Sequence, residues 1–275
     1  MSLKGVAQET LNVLDEGCYT APSGALVSIA DAQAAAVAGT QLYTPEALAA
    51  LLAEPGPGGA APAITVTDER TQEACRRLFQ DEGVDDVLAL NFASARNPGG
   101  GFLRGAKAQE EDLSRCSGLY PSLITQMRYY TANRVQSSLL YTDHMIYSPQ
   151  VPFFRVRSRT FIEQPYLASV ITAPAPNAGE HLRREPGATA ALDEAVQRRA
   201  GMVLALARAH GHRNLVLGAW GCGVFRNDPT RVAEVFRDWL NSRTFAGCFD
   251  QVVFAILATT KPGKRNLEAF QAVLG

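Results

Sequence analysis

Two adjacent carboxylates, Glu110 and Glu111, sit in the run Gln109-Glu110-Glu111-Asp112, a run that seven residues separate from three consecutive glycines, Gly99, Gly100 and Gly101. A carboxyl group can hand a proton to a leaving oxygen, activate water or grip sugar hydroxyls. Neighbouring residues are offset by about a hundred degrees on a helix and point to opposite faces on a strand. The pair therefore cannot flank one glycosidic bond in the usual two-carboxylate arrangement. A division of labour is expected, with one carboxylate at a scissile bond and the other on sugar hydroxyls. An isolated Glu-Glu pair is more often mere decoration of a helix N-terminus. Here the glycines shift the balance: three in a row are costly to order and give no packing in return, so their use is close backbone approach.

A second constellation is Gly218-Ala219-Trp220-Gly221-Cys222-Gly223-Val224-Phe225. It follows the apolar run Leu215-Val216-Leu217 and precedes Asp228-Pro229, a good helix start. Backbone N–H groups in such a loop can bind an anion; equally, the glycines can serve only a tight strand-to-helix turn. A dinucleotide fingerprint fails, because Arg226 stands where the third glycine belongs and Ala258, Thr259 and Thr260 follow the next strand instead of an acid. No Gly-Lys-Ser/Thr follows either loop, so a Walker loop is excluded too. Cys222 has no histidine near it in sequence to activate it, and small-residue packing accounts for it.

The elements that must position these groups can be read from pattern. Val87 to Leu90 is a short apolar run, a buried strand ended by Asn97-Pro98. The acidic cluster suits the first turn of a helix, and residues 112–133 read as helical, broken near Pro121. Strands are expected at 25–29, 63–67, 145–148, 153–156, 166–173, 214–219 and 251–258. Helices are expected at 3–16, 32–38, 45–53, 68–79, 188–210, 229–240 and 264–274. Residues 54–62, EPGPGGAAP, read as a surface loop. Strands alternating with helices indicate an α/β fold with a mixed, largely parallel sheet. Both glycine loops then fall at carboxyl ends of parallel strands, walling one crevice. The expectation is a single domain over 1–275, with an N-terminal helical extension at 1–62 and a core at 63–275.

Composition narrows the partner. A net charge of −1 and a pI near 6.4 argue against a general nucleic-acid or membrane-surface binder. The five cysteines are odd in number and scattered without Cys-x-x-Cys, which favours reduced thiols and a cytoplasmic protein. The N-terminus has no long apolar segment of the secretory kind. His144, His181, His210 and His212 lack metal-ligand spacing, and His210 and His212, flanking a glycine helix stop, are expected at the surface. Tyr129, Tyr130 and Tyr141 could stack on a base, but such aromatics more often pack. Thr259, Thr260 and Lys261 are expected at the crevice rim.

Gly99-Gly100-Gly101, seven residues, then Gln109-Glu110-Glu111 resembles the GGG-x(6–8)-QEE signature of poly(ADP-ribose) glycohydrolases. Residues 218–225 resemble that family's diphosphate-lining loop, and Asn91 to Pro98 resembles its bacterial branch. The resemblance implies a macrodomain-like fold with an N-terminal helical extension. It implies hydrolysis of ribose–ribose O-glycosidic bonds of poly(ADP-ribose), releasing ADP-ribose, without cofactor or metal. By resemblance Glu111 is the catalytic acid and Glu110 holds the ribose hydroxyls. Asn97, Gly99, Gly100, Gly101 and Gln109 belong to the substrate site. Gly221, Cys222, Gly223 and Val224 contact the diphosphate, and Phe225 packs on the distal ribose. Ser94 and Ala219 stand where animal members carry asparagine. Partners implied are poly(ADP-ribose) on modified proteins and ADP-ribose as product, with no sequence-specific nucleic acid, no membrane and a monomeric enzyme. Two other readings use the same pocket: a non-catalytic ADP-ribose reader, and a hydrolase removing single ADP-ribose units from protein or nucleic acid.

Overall fold

The computed structural model describes residues 1–275. Its strands are β1 (Cys18–Thr20), β2 (Leu26–Ser28), β3 (Gln41–Tyr43), β4 (Ala63–Thr67), β5 (Val87–Phe92), β6 (Met145–Arg157), β7 (Thr160–Ala173), β8 (Asn214–Leu217) and β9 (Gln251–Ala255). The helices are α1 (Leu3–Glu16), α2 (Ala30–Gly39), α3 (Pro45–Ala53), α4 (Thr71–Arg76), α5 (Gln109–Cys116), α6 (Leu119–Ile124), α7 (Met127–Arg134), α8 (Ala178–Arg184), α9 (Thr189–Ala209), α10 (Pro229–Leu240) and α11 (Lys261–Leu274). Seven strands form one sheet in the order β3-β6-β7-β5-β8-β9-β4. The pairs from β7 to β4 are parallel, and β3, β6 and β7 add an antiparallel edge. The sheet is thus mixed and largely parallel, as its sequence pattern indicates.

Period-two alternation sorts side chains to the two faces. Leu88, Leu90, Ile171, Leu215, Leu217, Val252 and Phe254 pack with α9 and α10 on one face. Val87, Ala89, Val170, Val216 and Val253 pack with α4 and α6 on the other. Burying each of these Leu, Ile, Val and Phe side chains stabilises by about 1.5–3 kcal/mol. Strand β5, covered on both faces, is accordingly a continuous apolar run until Asn91.

Several elements differ from expectation. The two segments read around Pro149 and Pro152 are one long strand, β6, whose pairing with β7 shifts register between Ser148 and Val151. Gln150 takes a left-handed φ of 45° at that bulge, which hides the continuity from a period-two reading. The residues before 63 are not helical additions alone, because Gln41–Tyr43 extends the main sheet along β6. The helix expected over 68–79 begins at Thr71 and ends in a π-turn over Arg77–Asp81. Asp68 instead accepts from the Ala258 N–H at 2.7 Å, tying down the end of β9. His212 is buried rather than exposed: it bonds the Tyr147 hydroxyl at 2.8 Å and the Asp86 carbonyl at 2.9 Å. His210 lies flat on the Tyr147 ring, with centroids 3.5 Å apart. No helix is long and apolar enough to cross a membrane.

Candidate active site

Helix α5 opens with Gln109, Glu110, Glu111 and Asp112 and points its N-terminus at the carboxyl end of β5. Gln109 is the joint. Its Oε1 accepts from the Phe92 N–H at 2.8 Å, and its Nε2 donates to the Leu90 carbonyl at 2.8 Å and to Thr71 Oγ1 at 3.0 Å. The side chain thus bonds β5 as a neighbouring strand would. Expected at the substrate, Gln109 touches the cleft, but its amide is spent on orienting the helix.

Both glutamates are buried, Glu110 at 2% and Glu111 at 7% exposure. Glu110 accepts from the Ser94 N–H at 2.7 Å and from Asn91 Nδ2 at 3.3 Å. Burial pushes its carboxyl up to about 8, against the opposing pull of those two donors and with a smaller upward push from Glu111. Glu111 Oε1 accepts from the Gly101 N–H at 2.8 Å, whereas its Oε2 is buried without a hydrogen-bond partner. One oxygen is anchored and the other is free for chemistry.

Gly100 explains why the loop is glycine. It takes φ of 59°, and a Cβ there would overlap Glu111 Oε1 and lie 3.1 Å from Glu110 Oε2. Both carboxylates, adjacent in sequence, therefore reach the face of Gly100 that a side chain would occupy. Ser94 Oγ accepts from the Arg96 and Asn97 N–H groups, closing the turn that presents the loop. Asn97 stands exposed at the cleft.

The second loop folds around Asn227, whose Nδ2 donates to the Pro176 carbonyl at 2.8 Å and the Gly221 carbonyl at 3.0 Å. Gly221, at φ of 74°, has no room for a side chain, since a Cβ would sit 2.5 Å from that of Ala175. Trp220 is buried beneath and donates from Nε1 to the Ala173 carbonyl at 3.2 Å. Within the loop the N–H groups of Trp220, Cys222 and Arg226 are used internally, and those of Gly221, Gly223, Val224 and Phe225 are left without a protein acceptor. That is a concave set of donors suited to an anion.

Both loops line one cleft of about 1050 Å³, together with Phe92, Glu110 and Glu111. Gly221, Gly223, Val224 and Phe225 face it, as do Gly100 and Gly101. Gly99 and Cys222 do not. Gly99 turns behind the loop toward Tyr120 and Ser114, and Cys222 is buried with its thiol pushed well up by burial, as packing and not reactivity requires. Thr259 and Thr260 reach the rim; Lys261 does not. Tyr129 and Tyr130 are core residues stacked edge to face on each other, while Tyr141 leans on Phe225 at 6.0 Å.

Residues that escaped sequence reading include Asn91 and Arg115. Asn91, the one polar residue in the buried run of β5, bridges Glu110 and Thr172 Oγ1; a lone amide in an apolar strand was the available signal. Arg115, buried, ties the loop after the glycines to the β6–β7 turn through the Ala106 carbonyl and Ser158. Ser158 is distant in sequence and Ala106 offers only a main-chain carbonyl, so neither left a local trace.

A family model described as "Microbial-type PARG, catalytic domain" matches residues 7–156. The chain is similar in structure to poly(ADP-ribose) glycohydrolase from Thermomonospora curvata, with 49% identity, 98% of each chain covered and a TM-score of 0.92. The same Thermomonospora curvata protein bound to the inhibitor ADP-HPD matches at 48% identity over 98% of each chain, with a TM-score of 0.90. Poly(ADP-ribose) glycohydrolase from Deinococcus radiodurans in complex with ADP-ribose matches at 45% identity and a TM-score of 0.80, covering 88% of this chain and 96% of that one. No curated protein matches the chain.

Proposed function

The chain belongs to the microbial-type poly(ADP-ribose) glycohydrolase family, and on that premise we propose that Glu111 is the acid that breaks the ribose–ribose bond while Glu110 grips the hydroxyls of the ribose being released. The enzyme hydrolyses poly(ADP-ribose) to ADP-ribose. What carries the assignment is Glu111 itself, which lines the cleft shared by both glycine loops with one carboxyl oxygen anchored and Oε2 left without a hydrogen-bond partner. The diphosphate lies against the unpaired N–H groups of Gly221, Gly223 and Val224, with Phe225 on the distal ribose.

The protonated Glu111 donates its proton to the 2′-oxygen of the leaving ribose as the bond to the anomeric carbon breaks. The bonding electron pair departs with that oxygen, leaving an oxocarbenium ion. The Glu111 carboxylate then takes a proton from water, whose oxygen bonds to the anomeric carbon. Free ADP-ribose results and Glu111 is again protonated. Asn97, with an exposed side chain at the cleft, is placed to meet the substrate.

The physiological substrate is polymer attached to modified proteins, acted on in the cytoplasm by a monomer. The five unpaired cysteines support a reducing compartment. Replacing Glu111 by glutamine keeps the anchoring oxygen for Gly101 but removes the transferable proton. Glu111→Gln is expected to lower turnover of polymer by about a thousandfold or more while ADP-ribose binds with affinity near that of wild type. Near-normal turnover by this variant would refute the assignment.

A further inference from the structure

The cleft does not end at Glu111. At about 1050 Å³ it stands at the top of the range of roughly 300–1,000 Å³ usual for a single small ligand. The contacts give it a direction. Gly218 of the second loop lies against the Phe92 ring, Phe92 is bonded to Gln109, and Asp112 accepts from Ser158 at the tip of the β6–β7 hairpin. The glutamates thus lie between the anion loop and a second arm, which is lined by Arg104, Lys107, Arg157 and Arg159.

Not all of these cations are free. Arg157 is paired with Glu73 at 2.7 Å and the nearby Arg70 with Asp112 at 3.2 Å. The negative groups of the arm are likewise committed, Asp112 to Arg70, Gln72 and Ser158, and Glu69 to Arg77. Arg104, Lys107 and Arg159 are exposed and have no carboxylate partner; Arg159 donates only to the Met1 carbonyl. Their scaffold is preset. Arg115 donates to the Ala106 carbonyl at 2.9 Å and to Ser158 Oγ at 3.1 Å, pinning both the loop that carries Lys107 and the hairpin tip that carries Arg159 to helix α5.

Each of the two riboses joined by the scissile bond carries a diphosphate on its own C5. When the anion loop holds one, the other must leave on the far side of Glu111. Resting on the glycohydrolase reading above, we propose that Arg104, Lys107 and Arg159 form a second anion subsite, which binds the diphosphate of the leaving ADP-ribose unit. The enzyme then recognises a linkage by both of its flanking diphosphates, and prefers a leaving group that is itself an ADP-ribose unit.

The test compares wild type with the triple variant Arg104→Ala, Lys107→Ala, Arg159→Ala, and separately with Lys107→Glu, which removes no contact to the fold. Two substrates are used: purified poly(ADP-ribose), and an ADP-ribose glycoside with a neutral aryl leaving group. In the triple variant kcat/KM on polymer should fall about five- to thirtyfold, and its logarithmic salt dependence should be shallower by about 2, at roughly 0.7 per lost charge. Lys107→Glu should depress polymer turnover in the same direction. Hydrolysis of the aryl glycoside and the affinity for ADP-ribose should stay within about twofold of wild type in both variants. Polymer turnover within twofold of wild type, or equal losses on both substrates, would overturn the subsite and leave the glycohydrolase reading standing. A single-stranded oligonucleotide that inhibits wild type but not the triple variant, with polymer kinetics unchanged, would assign the arm to nucleic acid and overturn it too. A wild type that cleaves neither substrate would overturn both readings.

Discussion

Replacing Glu110 by glutamine should change how stability depends on pH, and the size of the change can be worked from its surroundings. The carboxyl is buried, and burial outweighs its donors, raising it from an ordinary 4.5 to about 8. The folded state therefore binds a proton that the unfolded chain has already released between those two values. The sign follows from linkage: where the folded state holds more protons, stability falls as pH rises. The contribution is fully present below pH 4.5 and is lost as pH climbs through 8. At about 1.4 kcal/mol per pH unit, the folded state should lose about 3–4 kcal/mol between pH 5 and pH 8 through this group. Glutamine at 110 cannot titrate. It sets an amide N–H against either Ser94 or Asn91, at a fixed cost of about 1–3 kcal/mol. Urea denaturation of both proteins from pH 5 to pH 8 should show the variant the less stable at pH 5 and the gap closing or reversing by pH 8. A gap that stays constant across the range would refute the burial-driven shift.

Two glycines and one ligand-linked proton offer further checks. Gly100→Ala places a methyl group against Glu111 and Glu110 at φ of 59°; it should lower kcat by at least about a hundredfold, since displacements of an ångström cost that much, and destabilise by about 1–2 kcal/mol, read from steady-state rates and thermal melting. Gly221→Ala drives a methyl into Ala175 and Asn227 and should weaken ADP-ribose binding about tenfold or more through the loss of loop donors, measured by calorimetry. Sugar hydroxyls donating to Glu110 favour its charged form. ADP-ribose binding near pH 7 should therefore release a proton in wild type and not in Glu110→Gln, visible as a buffer-dependent binding enthalpy.

The parts of the site legible in the chain are those set by local chemistry. The apolar run of β5, the glycines that follow it and the acidic first turn of α5 lie within about thirty residues of one another, and each has its own physical signature. The cap Asp228-Pro229 likewise announces α10, with the Asp228 carboxylate accepting from Thr230 at 3.1 Å. What stayed hidden depends on partners far along the chain. Arg155 is fully buried because Glu9, Thr10 and the Arg115 carbonyl receive its guanidinium. Arg199, also fully buried, joins Asp143 to the carbonyls of Pro174 and Leu140. Nothing at positions 155 or 199 distinguishes these arginines from solvated ones until the fold brings the acceptors together. Gln109 was legible as part of the motif, but its bonds to Leu90 and Phe92 require the helix already docked on β5. His212 needed Tyr147 across the sheet to be taken from the surface.

A structure of Glu111→Gln in complex with ADP-ribose tests the central claim most directly. The diphosphate should lie on the N–H groups of Gly221, Gly223 and Val224, and the residue-111 side chain about 3–3.5 Å from the oxygen on the anomeric carbon. A diphosphate bound away from that loop, or a distal ribose whose anomeric centre is out of reach of residue 111, would contradict it.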